Sequence, residues 1–216
     1  MKTLLVGVGG MTNGGKSTLS KNLHQQIPNS CLIAQDSYFK DDSVVPVDSN
    51  GFKQYDMLDA LHMDTMMCDV NSWRRDPLSF MRRRGLYPEL TTSSADEIVY
   101  VLIVEGFLIF NHSLRVYAPP DPPEYFDGHV WQMYLKNRQE MESMVSGIVF
   151  LDGMKPKEEL LAAVCKEVCQ EIEKLRDGDY CSHARNVRKG VLLDSCVTER
   201  TTPSVNVSVI PTNSYD

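Results

Sequence analysis

The amino-acid sequence predicts an α/β fold built on a parallel sheet, and three observations carry that expectation. Short apolar β-type runs alternate with stretches of helical period. A glycine-rich turn joins the first run to the first helical stretch. Each polar motif follows the carboxyl end of an apolar run, where ligands of open parallel sheets sit.

Residues 3–8 form the first run, and the pattern from Ser17 to about Gln26 suits a helix. Cys31 to Ala34 reads as a second buried strand, followed by a polar surface loop from Gln35 to Asn50. Between Tyr55 and Trp73, Leu58, Leu61, Met66, Val70 and Trp73 recur at near-helical spacing, a methionine-rich stripe that reads as core. Residues 74–97 lack a period, and the basic run Arg82, Arg83, Arg84 is read as solvated. Ile98 to Val104 is the most apolar β-type run and ends in Glu105-Gly106, as a central strand would. Ile148 to Leu151 is a further strand, stopped by Asp152-Gly153, and Glu158 to Leu175 is an amphipathic helix. Beyond Arg176 the polar, aperiodic sequence predicts disorder, giving one domain over 1–175 and a tail over 176–216.

Composition narrows the function. The net charge of −7 provides no positive field to gather nucleic acid, so phosphate chemistry must come from a local site. The six cysteines include no C-x-x-C pair, against both a disulfide framework and a structural zinc site, and Cys165 and Cys169 read as packing on a helix. The N-terminal apolar run breaks at Gly7, Gly9 and Gly10, and no stretch approaches the ~20 apolar residues of a membrane helix. A cytoplasmic protein with no membrane and no nucleic-acid partner is expected.

Gly10-Met11-Thr12-Asn13-Gly14-Gly15-Lys16-Ser17 matches G-x-x-x-x-G-K-[ST] between a predicted strand and a predicted helix, the context this phosphate loop requires. Its glycines let backbone N–H groups turn toward phosphates, and the helix N-terminus adds the positive end of its dipole. Lys16 supplies a charge for the β- and γ-phosphates of ATP, the Ser17 hydroxyl is placed to ligate Mg²⁺, and Thr18 continues the nucleotide-binding turn. Asp36, after the second strand, fits the carboxylate that orients an acceptor hydroxyl and takes its proton, although a turn or cap aspartate has the same signature. Glu105 ends an apolar strand, where a charge must face a polar crevice, and there it can act on Mg²⁺ through water. Tyr55 and Asp56 can offer stacking and hydroxyl recognition, or Asp56 can serve as a helix cap.

Together these stretches resemble the nicotinamide riboside kinases, and the phosphate-loop wording is close to their muscle-type form. The likeness extends through Gln35-Asp36, Phe39-Lys40, Gly51-Phe52-Lys53-Gln54-Tyr55-Asp56, Glu105-Gly106-Phe107-Leu108 and Tyr125-Phe126-Asp127-Gly128-His129-Val130-Trp131. It resumes at Tyr134, Arg138-Gln139-Glu140-Met141 and Leu151-Asp152-Gly153-Met154-Lys155, so that most of residues 1–175 is covered. The resemblance implies a three-layer P-loop fold with strand order 2-3-1-4-5, and ATP-dependent conversion of nicotinamide riboside to the mononucleotide, a salvage step toward NAD. Nicotinic acid riboside is its implied second substrate. It also implies that Asp36 accepts the proton of the ribose 5′-hydroxyl and ligates Mg²⁺ with Ser17. Ser37, Tyr38, Phe39, Tyr55, Asp56 and Tyr117 would surround the riboside, and Arg115, Lys155 and Lys157 would lie near ATP.

One departure stands out. After Phe110-Asn111 the family runs through roughly twenty-five further residues, holding the fourth strand and an arginine-rich lid, whereas only His112, Ser113 and Leu114 precede Arg115 here. Strand 4 is therefore expected to be missing, leaving beside the first strand a gap one strand wide, about 4.8 Å, that the last strand must cross or leave open. An exon-skipped isoform or a faulty gene model would leave that trace. Two other readings stand beside the riboside kinase: a P-loop kinase for uridine or pantothenate, and a nucleotide-binding interaction protein with weak or no turnover. All three require the phosphate loop. Lys16→Ala should therefore abolish nucleotide-dependent activity and leave the fold intact, as ADP release and circular dichroism of the variant would show.

Overall fold

β1 (Lys2–Gly10) runs through the middle of a six-stranded sheet, with Leu4, Val6 and Val8 fully buried. This computed structural model describes residues 2–10, 14–47, 51–88, 98–109, 135–139, 149–153, 155–177, 186–194 and 205–211. β1 is followed by α1 (Lys16–Gln26), β2 (Ser30–Ala34), a 3₁₀ turn (Gln35–Tyr38), a second 3₁₀ turn (Leu58–Ala60), α2 (Met63–Arg75), α3 (Pro77–Arg83) and β3 (Val99–Glu105). A short helical segment occupies 135–139. β4 (Val149–Asp152), α4 (Lys157–Asp177), β5 (Asn186–Asp194) and β6 (Val205–Pro211) complete the order.

β3 explains the layering. All seven of its residues are buried, as expected of a central parallel strand covered on both faces. Val99, Val101 and Ile103 point to one face, where they meet Leu19 and Leu23 of α1 and Leu160, Val164, Val168, Ile172 and Leu175 of α4. Tyr100, Leu102 and Val104 point to the other, where they meet Met63, Met66, Val70 and Trp73 of α2 with Phe80 and Met81 of α3. The helices supply apolar residues three and four apart, which keeps each stripe on one face. The result is helix, sheet, helix. Among the described residues, no helix is long and apolar enough to cross a membrane.

The expected helix over Tyr55 to Trp73 is shorter in the structure. Phe39 bridges Leu61 in an antiparallel pair, and Lys40 N–H donates to the Ala60 carbonyl at 2.8 Å, so 58–61 is held by the preceding loop and α2 begins at Met63. The aperiodic stretch after residue 74 contains α3, too short to show a period. Asp76 caps it, accepting from Ser79 N–H at 3.0 Å, and Pro77 sits in its first turn. Gln35, placed by sequence in a surface loop, is fully buried.

The larger correction concerns the C-terminal residues and the missing strand. The sheet order is β2-β3-β1-β5-β4-β6. β5, from the segment expected to be disordered, lies parallel between β1 and β4, in the slot that the last strand was expected to cross or leave open. Thr3 to Gly10 register with Asn186 to Leu193, and Val149 to Asp152 with Val191 to Asp194. β6 is antiparallel to β4 and pairs also with β5. The physical reason is that an empty slot would leave two rows of unpaired backbone groups, and Val191-Leu192-Leu193 is apolar enough to close it. Spatially, five strands keep the order 2-3-1-4-5 implied by the resemblance, but the fourth position is filled from the far end of the chain.

An interior strand tolerates proline poorly, because the ring removes a ladder donor. Val191→Pro should lower the melting temperature by about 5–10 °C, on a scale of 2–4 °C per kcal/mol for a domain of this size. A scan unchanged within 1 °C would mean that this strand contributes nothing to the fold.

Candidate active site

The parallel register brings the site together. Val8 of β1 and Ala34 of β2 both lie level with Glu105 of β3, so three strand ends open onto one crevice. Gly15 takes φ 86°, a left-handed conformation that glycine adopts without strain, and α1 starts at the next residue. That turn carries Lys16, 9% exposed, and Ser17 to the mouth of the crevice. The Ser17 hydroxyl lies 3.1 and 3.2 Å from the two carboxylate oxygens of Glu105, and as their donor it keeps its own lone pairs for another partner.

Burial is the dominant electrostatic influence on both buried charges. It pulls the Lys16 ammonium below its ordinary pKa, against the opposing charges of Glu105, Asp36 and Asp56. It pushes the Glu105 carboxyl up, and the hydrogen bond from Ser17 and the charge of Lys16 oppose it. Lys16 thus feels the charges of three carboxylates, two of them from loops that the sequence reading singled out separately. Asp36 is exposed on the first turn after β2.

Phe39 stacks on Phe107 at 6.1 Å between ring centroids, and Tyr55 meets Phe39 edge-on at 5.7 Å. These rings form an aromatic wall beside Asp36. The Tyr55 hydroxyl is bonded to Asp42, which also pairs with Lys53. The hydrogen bond to Asp42 raises the Tyr55 pKa. Tyr38 donates to Asp69 at 2.6 Å, Arg84 donates to the same oxygen at 2.8 Å, and the Arg84 guanidinium lies 4.4 Å from the centroid of Phe80. Arg84, at the end of α3, therefore braces the turn that carries Asp36, a role that sequence reading missed because Asp69 lies on another helix. Ser37 is exposed beside Asp36.

Lys155 and Lys157 do not join this cluster. They follow β4, which β5 separates from β1, roughly 10 Å away at ordinary strand spacing. Lys155 pairs with Glu159 at 2.5 Å. Met11, Thr12, Asn13, Arg115, Tyr117 and the stretch from Tyr125 to Trp131 lie outside the described residues, while Gly10 and Gly14 flank the loop and Thr18 is exposed on α1.

A strand, a glycine turn and a helix that begins on a buried lysine and a hydroxyl, all facing carboxylates, define a P-loop phosphotransferase. No family model matches the chain. It is 45% identical over 198 residues to nicotinamide riboside kinase 1 of Rattus norvegicus, covering 81% of this chain and 98% of the relative. It is 40% identical over 209 residues to nicotinamide riboside kinase 2 of Homo sapiens, covering 86% and 89%. A uridine kinase of Clostridium botulinum is 28% identical over 172 residues, covering 72% and 80%. The chain belongs to the nicotinamide riboside kinase family. The rat alignment spans 198 positions but draws on only 81% of a 216-residue chain, so it crosses positions that this chain lacks.

One close approach underlies the geometry. A Cβ at Gly106 would lie 2.4 Å from both Cβ and Oε1 of Gln35, closer than any real contact. Gly106→Ala should therefore force the ends of β2 and β3 apart, with a loss of about 1–3 kcal/mol in chemical denaturation and a fall in turnover. A variant with unchanged stability would show that the two ends are not in this contact.

Proposed function

We propose that this chain transfers the γ-phosphoryl group of ATP to the 5′-hydroxyl of nicotinamide riboside, and of nicotinic acid riboside, in the cytoplasm as a salvage step toward NAD. The observation that carries the reading is the Lys16, Ser17 and Glu105 arrangement, with the Asp36 carboxylate close enough for its charge to act on the same lysine. The family relatives supply the substrate class.

In this mechanism Asp36 takes the proton of the 5′-hydroxyl as the new O–P bond forms and the bond from the γ-phosphorus to ADP breaks. Lys16 and the N-terminal amides of α1 hold the phosphate oxygens, where a buried ammonium acts in low dielectric without reorganising. Phosphates arriving at Lys16 would offset the burial that depresses its pKa. The phosphate-loop residues Gly10 to Thr18 bind the nucleotide, and the family resemblance assigns Lys155, Lys157 and Arg115 to ATP as well, a role that for Lys155 and Lys157 requires the nucleotide to reach beyond the cluster at Lys16.

The donor set fits a hard cation: a serine hydroxyl with free lone pairs and an exposed carboxylate, both oxygen ligands. Ser17 and Asp36 would hold Mg²⁺, which would neutralise charge on the phosphates. Glu105 fixes the Ser17 hydroxyl from behind. On the acceptor side, Ser37, Tyr38, Phe39, Tyr55 and Asp56 receive the riboside, with the Phe39 and Tyr55 rings offering an apolar face to its base, and the family resemblance adds Tyr117 to this set.

A panel of nicotinamide riboside, nicotinic acid riboside, uridine and pantothenate, read as ADP release, tests the substrate. Turnover confined to the two pyridine ribosides is expected. Nucleotide binding without ADP release on any of them would favour an interaction protein instead. Asp36→Asn should lower the rate by about 10² to 10⁴ and leave ATP affinity nearly unchanged. A variant within a few-fold of the unaltered chain would reduce Asp36 to a turn residue.

A further inference from the structure

Gln35 is fully buried between the two loops that carry the acidic residues of the site. Its Oε1 accepts the Leu108 N–H at 2.9 Å, and its Nε2 reaches Met63 Sδ at 3.4 Å. Its Cβ and Oε1 occupy the space over Gly106. One side chain therefore touches the loop after β3, the start of α2, and its own turn after β2. The residues on either side of these contacts are Asp36 and Glu105.

We infer that Gln35 is a positioning residue for phosphoryl transfer, a strut that sets the distance between Asp36 and the Ser17–Glu105 pair. The inference rests on the kinase reading above. The geometry supports it in three ways. A primary amide has both an acceptor and donors, so it can tie two elements at once, which no apolar side chain of that length can do. It is held where no water can exchange for its partners, so its hydrogen bonds are rigid constraints. Gly106 is the only residue type that admits it, so strut and socket are matched in shape. A misplacement near 1 Å between reacting groups lowers rates by about 10²-fold, which is the lever such a strut controls.

Gln35→Met keeps the length and volume but offers Leu108 N–H no strong acceptor. It should lower kcat about 10- to 100-fold with nicotinamide riboside, while ATP affinity by calorimetry stays within about 3-fold, because Lys16 and α1 are anchored elsewhere. Gln35→Glu restores an acceptor oxygen at the same reach and should recover at least 5-fold of the lost kcat. If kcat in Gln35→Met stays within 3-fold of the unaltered chain, or if kcat and ATP affinity fall together, the strut role is overturned. Should Gln35→Met fail to fold, Met63→Leu unties only the amide donor and is read by the same split, with unchanged kcat counting against the inference. Absence of turnover in the unaltered chain would sink the kinase reading, and the strut role with it, whereas turnover there with no response to the variants sinks the strut role alone.

Discussion

The parallel register of β1 and β3 is the constraint on which the rest of the molecule depends. With Val8 and Ala34 level with Glu105, a carboxylate emerges from the driest strand of the sheet beside the turn that starts α1. A buried carboxylate is tolerable only with partners, and here they are the Ser17 hydroxyl and the Lys16 ammonium. A slip of one residue would turn Glu105 into the opposite helix layer and every apolar residue of β3 with it. Core packing and site geometry are therefore the same constraint, and the strand alternation that fills two cores also aims one charge.

The two cores differ in chemistry in a way that matches the two sides of the site. The layer behind α1 and α4 is built from leucine, valine and isoleucine, and its valines and isoleucines are stiff side chains under the element that would hold phosphates. The layer under α2 and α3 contains Met63, Met66, Met81, Trp73, Phe80 and Tyr100, and it supports the turn with Asp36 and the aromatic wall. Methionine adapts to irregular shapes. The phosphate side is thus framed by branched aliphatic packing, and the acceptor side by softer packing with Tyr38, Asp69 and Arg84 as polar braces.

Much of this was legible in the sequence because it is local. The phosphate loop, the apolar run ending at Glu105 and the position of Asp36 after a strand are each patterns of neighbouring residues, and the structure brings Lys16, Ser17, Asp36 and Glu105 into one crevice. What was not legible depends on elements far apart. Gln35 looked like a loop residue because nothing near it in sequence shows that Gly106 will close over it. Arg84 looked solvated because its partner Asp69 is on another helix. β5 looked disordered because Arg188, Lys189 and Gly190 interrupt its apolar run, and only the vacancy beside β1 makes a strand of it. A signal was present in Val205-Asn206-Val207-Ser208-Val209, a period-two alternation that marks β6.

Filling that vacancy from the far end of the chain also sets a clock on biosynthesis. Thr3 pairs with Asn186, and Leu4 with Val187, so one edge of β1 stays open until residues 186–193 have been made. At 5–20 residues per second that wait is roughly 10 to 40 s, far longer than the microseconds in which helices and hairpins form. During it β1, among the most apolar strands of the sheet, presents unpaired backbone groups to any neighbouring nascent chain. A strand partner that is distant in sequence therefore lengthens the time for which that edge depends on shielding during synthesis.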